Sequence, residues 1–306
     1  MIITGASGPF GSSTTQGLLR RGIPARDLIL VTRTPTKLAH YAALGAQVRR
    51  GDFDDPQSLA AAFTGGDKML FISTNRVGQR MPQHRHAINA AVAAGVKHIV
   101  YTSFVGATPD NPSVAVADHR GTESLLRACG VHWTALRNSQ YSDAIVEAIA
   151  PLVLRTGCWQ ASAADGRLAH VTRQDCIDCA VSVMATPGHE DTVYNVTGPE
   201  LLSMRDCAKI LADVAGAPIQ YVVVSDEDMY TYFDSLGIPR AAIDDNVVDG
   251  VPWCSDDMVS FERTIREGYF AIISNDVETL TGHEPQGLRD FAMRRRDTLR
   301  ALGRAM

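Results

Sequence analysis

The residues best suited to chemistry open the chain. Ile3-Thr4-Gly5-Ala6-Ser7-Gly8-Pro9-Phe10-Gly11 reads as a strand running straight into a helix across three glycines. A glycine at the strand end permits a tight turn, a second lets a pyrophosphate approach the backbone, and a third lets the helix pack on the sheet. Free amides at the helix start then hold the phosphate. The glycines stand three and three apart rather than in the commoner two and three, which points to a subgroup of dinucleotide sites. Sites selective for NAD place Asp or Glu at the end of the second strand, for the ribose 2′-hydroxyl. This chain has Val31-Thr32-Arg33-Thr34-Pro35-Thr36-Lys37 there. Arg33 can fork onto a 2′-phosphate and Lys37 adds a positive charge one turn later, so NADP(H) is the expected cofactor. Solvated surface cations are the bland alternative for both.

Further chemistry-bearing groups fall at other strand ends. Asp52 and Phe53, after the third strand, are placed to accept from an adenine amino group and to pack on its ring; Asp55 reads as the cap of the next helix. Ser73, Thr74 and Asn75 follow the fourth strand and Ser103 closes the fifth, at the carboxyl edge where open α/β sheets bind ligands. Cys176 and Cys179 have redox-motif spacing but no second pair for a zinc site, and read as core thiols. His84 and His86, two apart on a helix, point to different faces and are not co-ligands, while Gln79, Arg80 and Gln83 could line the cleft. Arg294-Arg295-Arg296 reads as a solvated face of the last helix or a subunit contact, which leaves a homodimer open.

The elements that must position these groups alternate. Expected strands at Ile2–Thr4, Leu28–Thr32, Gln47–Arg50, Met69–Ser73, His98–Ser103 and Trp133–Leu136, most of them rich in Val, Ile, Leu or aromatic residues, are separated by helical stretches at Ser12–Arg21, Pro35–Ala43, Pro56–Phe63, Pro82–Ala94 and Asp118–Cys129. That rhythm predicts a Rossmann-type doubly wound parallel sheet over residues 1–150. Residues 151–306 lose the regularity. A strand near Val193–Val196, a helix over Met204–Val214, a strand at Gln220–Val224 and helices after Asp226 and Asp256 predict a smaller α/β substrate domain, with return segments to the main sheet left open.

With 306 residues, 45% hydrophobic and 21% charged, the chain can bury a full core. A net charge of -5 gives no basic excess for nucleic acid. No stretch approaches the roughly 18 apolar residues of a membrane span. Six cysteines and an opening without a charged leader fit reduced thiols in a cytoplasm.

The segments ITGASGPFG, VTRTPTK, LFISTNRVGQRMPQHRHAINAAVAAGVKHIVYTS and ALRNSQYSD together resemble the NmrA-like branch of the atypical short-chain dehydrogenases, most of all its bacterial quinone reductases and triphenylmethane reductases. The resemblance implies NADP(H) in the cleft and reduction of a planar conjugated small molecule, without metal or flavin. It places the glycine turn with Pro9 and Phe10 on the pyrophosphate, Arg33 and Lys37 on the 2′-phosphate, Ser73 and Thr74 by the ribose, and Asn138 by the nicotinamide. Two stretches depart from it: Phe104–Thr108, and the region holding Tyr230, Tyr232, Trp253 and Cys254.

Ordinary members of that superfamily activate a tyrosine with a lysine four residues on. Here Tyr101, Tyr141 and Tyr194 are followed at that distance by Val105, Ile145 and Gly198. The relay is absent, so hydride transfer to an acceptor that needs no strong acid is expected, with water, Tyr141 or His119 as proton source. His119 invites that role through its near-neutral intrinsic pKa, though Asp118 could simply cap it at a helix start. A ketone or enone reductase, and an NADP(H) sensor without turnover, are the alternatives.

Overall fold

The computed structural model describes residues 1–243 and 254–304; Trp253 lies outside them. Strand β1 (Ile2–Ile3) leads to α1 (Pro9–Arg20) and β2 (Ile29–Thr32). A 3₁₀ turn at Pro35–Leu38 continues into α2 (Ala39–Ala43), followed by β3 (Gln47–Arg50), α3 (Pro56–Phe63), β4 (Lys68–Phe71), α4 (Met81–Ala93), β5 (His98–Phe104), α5 (Val114–Ala128) and β6 (His132–Asn138). The expected alternation is therefore present, with shifted ends. α5 begins at Val114 rather than Asp118 because the Ser113 side chain accepts the Val116 N–H and caps the helix a turn earlier. A π-helical turn at Ala144–Ile149 then enters α6 (Ala150–Thr156). Next come β7 (Cys158–Ala161), β8 (Arg167–Leu168), α7 (Arg173–Ala185), β9 (Thr192–Val196), β10 (Leu202–Ser203), α8 (Met204–Ala215), β11 (Gln220–Val223), α9 (Asp226–Ser235), α10 (Ser255–Arg266), α11 (Asp276–Thr281), α12 (Leu288–Met293) and α13 (Arg296–Gly303).

The main sheet has seven strands in the order β3-β2-β1-β4-β5-β6-β9, and every neighbouring pair is parallel. The order reverses between β1 and β4, which opens a crevice at their carboxyl ends. Strand alternation sorts the core onto two faces. Ile2, Val31, Phe71, Ile99 and Tyr101 pack on one side; Ile3, Leu30, Leu70, Val100 and Leu136 pack on the other, with Cys176 and Cys179 among them. Each such large side chain contributes roughly 1.5–3 kcal/mol on burial. Both thiols are free and buried, as core residues. α7 belongs to this second face and approaches α1 closely: a Cβ on Gly17 would lie 2.5 Å from Val181 Cγ2. With β9 pairing to β6, residues beyond 150 complete the sheet.

The rest of the later chain builds a second core around Trp159, Leu211, Phe270, Phe291 and Leu299, over the parallel pair β7–β11. The three arginines expected on one helix instead span the junction of α12 and α13, where Arg295 reaches Glu147 at 2.8 Å. Among the described residues no helix is long and apolar enough to cross a membrane.

One buried acid in this second core makes stability depend on pH. Glu262 accepts the Ser162 N–H, and burial pushes its pKa from 4.5 to about 7. The folded state thus holds a proton that the unfolded chain releases, so stability falls as pH rises from about 4.5 toward 7. Glu262→Gln keeps an acceptor for Ser162 and removes the ionisation. It is expected to raise Tm near pH 8 and to lose that advantage near pH 4.5, as thermal melts at the two values will show.

Candidate functional site

The glycine turn has the geometry its spacing implies. Gly5 adopts φ +57, open to glycine at little cost. Gly8 is the residue before α1, with its N–H on Gly5 O at 2.9 Å and no side chain to occupy the first-turn amides. Pro9 at the first helical position has no N–H to satisfy. A Cβ on Gly11 would stand 2.5 Å from Gly5 O and 2.8 Å from Ala6 Cα, so only glycine lets the helix start this close to the strand. Ser7 and Thr32 hydroxyls lie 2.7 Å apart, and Thr32 also accepts the Thr34 N–H at 3.1 Å, which ties the turn to the end of β2.

These elements wall an open cleft of roughly 740 Å³ at the carboxyl ends of β1, β2, β3 and β4. It gathers Gly5, Ser7, Gly8, Pro9, Phe10 and Gly11 with Arg33, Asp52, Phe53, Ser73, Thr74 and Asn75. Asp52 is held by its neighbours: its Oδ1 accepts the Asp54 N–H at 3.1 Å and its own N–H goes to Ser58 Oγ at 2.9 Å. Asp55 stands before α3 as expected, without a side-chain capping bond. Phe53 meets Phe71 edge-on, centroids 5.5 Å apart. Ser73 donates its N–H to Thr102 Oγ1 at 2.9 Å. Thr74 donates its N–H to His84 Nε2 at 3.3 Å, and His84 Nδ1 lies 2.7 Å from Thr122 Oγ1. Burial, then the Arg80 charge, lowers the His84 pKa to about 3, so the ring is neutral, with its proton on Nδ1 toward Thr122. His86 turns elsewhere, to the Phe53 carbonyl at 2.9 Å.

Several expected residues fall outside this cleft. Lys37 belongs to the 3₁₀ turn, exposed, and does not line it. Ser103 shares the strand face of Ile99 and Tyr101; its hydroxyl donates to Glu123 Oε1 at 2.7 Å, beneath α5, not toward a ligand. His119 is corrected likewise. It is 4% exposed, with Nδ1 2.8 Å from the Tyr101 hydroxyl and Nε2 3.0 Å from Arg80, and burial drives its pKa well below the usual histidine range. Burial thus disfavours the charged ring, which counts against a proton-donating role near neutrality. Of Gln79, Arg80 and Gln83, only Gln83 reaches the cleft wall; Arg76, not anticipated, joins it there. Asp54 holds both, at 2.9 Å from Gln83 Nε2 and 3.2 Å from Arg76. An acidic residue beside the expected adenine position was the available signal for such a pair.

Asn138 and Tyr141 meet at the carboxyl end of β6. Asn138 Nδ2 is 3.5 Å from the Tyr141 hydroxyl, and Asn138 Oδ1 is buried with no partner among the described residues. The Arg173 guanidinium lies 5.5 Å from the Tyr141 ring centre, and burial raises the phenol's pKa. Neither residue lines the cleft as defined by its walls. Burial moves the His119 pKa down and the Tyr141 pKa up, both away from neutrality, so Tyr141→Phe is expected to keep the wild-type shape of the pH–rate profile between pH 6 and 8. A transition present in the wild type and missing in the variant would restore Tyr141 as the acid.

A seven-stranded parallel sheet with a glycine turn at its switch point defines a Rossmann dinucleotide-binding protein. The chain belongs to the NAD(P)H-binding family, whose profile matches residues 5–187. It is 38% identical to quinone oxidoreductase 2 of Escherichia coli (strain K12) over 245 residues, 80% of this chain and 84% of that one. It is 29% identical over 293 residues to the NAD(P)H azoreductase of Xenophilus azovorans, covering 95% of this chain and 96% of the other. In three dimensions it matches the E. coli NADPH-dependent quinone oxidoreductase complexed with NADPH at TM-score 0.86 and 34% identity, covering 96% of this chain and 99% of that one. The Citrobacter sp. triphenylmethane reductase complexed with NADP(H) matches at TM-score 0.83 and 28% identity, with the same coverage. These likenesses bear out the resemblance drawn from the sequence segments.

Proposed function

We propose that this protein is an NADPH-dependent reductase of quinone-like or similarly conjugated small molecules, working in the cytoplasm by direct hydride transfer. The observation that carries the reading is the cleft itself, where a glycine turn that excludes any Cβ at Gly11 faces Arg33. The residues fit the cofactor. First-turn amides of α1 hold the pyrophosphate, Arg33 the 2′-phosphate, Asp52 and Phe53 the adenine, and Ser73, Thr74 and Asn75 the ribose side. Asn138 Oδ1, buried without a donor, suits a carboxamide N–H. When bound, NADPH supplies the hydride.

The protein's own share is orientation. Holding two reactants in register supplies most of the rate; Asn138 and Tyr141 stand at the carboxyl end of β6, outside the cleft walls. A quinone accepts hydride to give a phenolate-like oxygen that water protonates, so no strong acid is needed. A simple ketone gives an alkoxide that does need one, and no tyrosine of the chain has the lysine four residues on that would activate it for that work. The quinone reading is favoured on that ground, and the likeness to reductases named for quinones and for azo compounds supports it. The test is an NADPH-oxidation screen across quinones, enones, aryl ketones and triarylmethane dyes. Loss of NADPH absorbance with quinones or dyes and little with ketones is expected. A flat trace with every acceptor would overturn the enzyme reading in favour of a sensor that binds NADPH without consuming it.

A further inference from the structure

The first turn of α4 carries a buried acceptor with no donor among the described residues. Gln83 is the α4 residue that lines the cleft; it is 7% exposed, and its Oε1 is the unpaired atom. Its Nε2 donates to Asp54 Oδ2 at 2.9 Å. Asp54 is fixed in turn by Arg76, whose guanidinium meets the other carboxylate oxygen at 3.2 Å. Three segments therefore converge on one carboxylate: the loop after β3, the loop after β4, and α4. The same stretch of α4 is fastened to both loops again. His86 Nδ1 meets the Phe53 carbonyl at 2.9 Å, and His84 Nε2 accepts the Thr74 N–H at 3.3 Å. Phe53, Thr74, Asn75 and Arg76 from those loops line the cleft together with Gln83.

The chemistry of the Asp54–Gln83 pair decides which way the amide faces. A side-chain amide has a donating and an accepting end, whereas a carboxylate only accepts. Asp54 therefore takes the NH2 end and turns Oε1 away from itself. A buried acceptor left without a donor is destabilising, and a ligand that brings the donor recovers that loss. At this end of the cleft, beside Asp52 and Phe53, the donor available on the cofactor is the exocyclic amino group of its base. That group has two N–H bonds. One suits Asp52, whose Oδ1 is already engaged by the Asp54 N–H at 3.1 Å but whose second oxygen remains to accept; the other suits Gln83.

We infer that Gln83, oriented by Asp54, accepts an N–H of the adenine amino group and makes the site selective for adenine over a base with a carbonyl at that position. This rests on the reading of the cleft as the NADPH site. The hypoxanthine analogue of NADPH presents an oxygen in place of the amino group, so it would meet Oε1 acceptor against acceptor. The test is the Kd of NADPH and of that analogue, by titration of dihydronicotinamide fluorescence, for the wild-type protein, Gln83→Leu and Asp54→Ala. The wild type is expected to prefer NADPH by about twentyfold. In Gln83→Leu the preference should fall to about fourfold, through weaker binding of NADPH with the analogue little changed, Asp52 supplying what remains. In Asp54→Ala the amide is free to turn its NH2 end toward the carbonyl, and the preference should fall to about fivefold, chiefly through tighter binding of the analogue. A wild type without preference, or a folded Gln83→Leu in which both ligands weaken alike or neither changes, overturns the inference. Should Gln83→Leu fail to fold, the ratio in Asp54→Ala decides alone, and an unchanged twentyfold there overturns it. Those outcomes leave NADPH in the cleft, whereas a wild-type protein that binds neither ligand defeats the cleft assignment and the inference with it.

Discussion

Gly11→Ala is expected to weaken NADPH binding by about two orders of magnitude while leaving a folded protein, because overpacking of this kind costs roughly 1–3 kcal/mol and falls wholly on the binding turn. The added methyl would stand 2.5 Å from Gly5 O and 2.8 Å from Ala6 Cα, both backbone atoms that cannot rotate away. α1 must then slide outward. Its first-turn amides would move with it, off the position where they converge on a pyrophosphate, and helix-terminus binding weakens steeply over a fraction of a turn. Fluorescence titration gives the Kd, and a thermal melt of the same sample shows how much of the loss is stability. Wild-type affinity in a folded Gly11→Ala would mean that the pyrophosphate lies elsewhere.

Arg33→Ala separates the two nicotinamide cofactors. Charge-assisted bonds to a phosphate are worth about 1.5–3 kcal/mol, so the NADPH Kd should rise roughly ten- to a hundredfold. NADH lacks the 2′-phosphate, and its Kd should stay within about twofold. Lys37→Ala is the informative contrast. Exposed and outside the cleft lining, Lys37 acts only as a screened surface charge, and its removal should alter the NADPH Kd by no more than about threefold. Equal losses for NADPH and NADH in Arg33→Ala would show that the arginine shapes the cleft rather than reading the phosphate.

Much of this architecture was legible because its physics is local. Most strands of the first half are short apolar runs between turn residues, β3 (Gln-Val-Arg-Arg) at the sheet edge being the exception, and the glycine turn is specified by backbone needs that three residues alone express. β9 was harder. A strand of mixed burial such as Thr192–Val196 announces itself, but which edge it joins depends on α7 packing against α1 across more than a hundred residues of chain, and no local pattern carries that. Ser103 and His119 were misplaced for a different reason: the information was present and unused. Ser103 is in step with Ile99 and Tyr101, so period two sends it to the α5 side. His119 is in step with Val116, Glu123 and Leu126, the buried stripe of its helix, so helical phase sends it to the core. Composition suggested a neutral-pH acid where periodicity already implied a buried, neutral ring. Arg76 was missed because its place depends on the loop from Ser73 to Arg80 folding back toward Asp54.

The central claim is that this cleft takes NADPH, and calorimetric titration of NADPH and NADH into the wild-type protein tests it most directly. The account predicts saturable heat with one NADPH per chain and an affinity for NADH weaker by about tenfold or more. No heat with either nucleotide, or tighter binding of NADH than of NADPH, would contradict it.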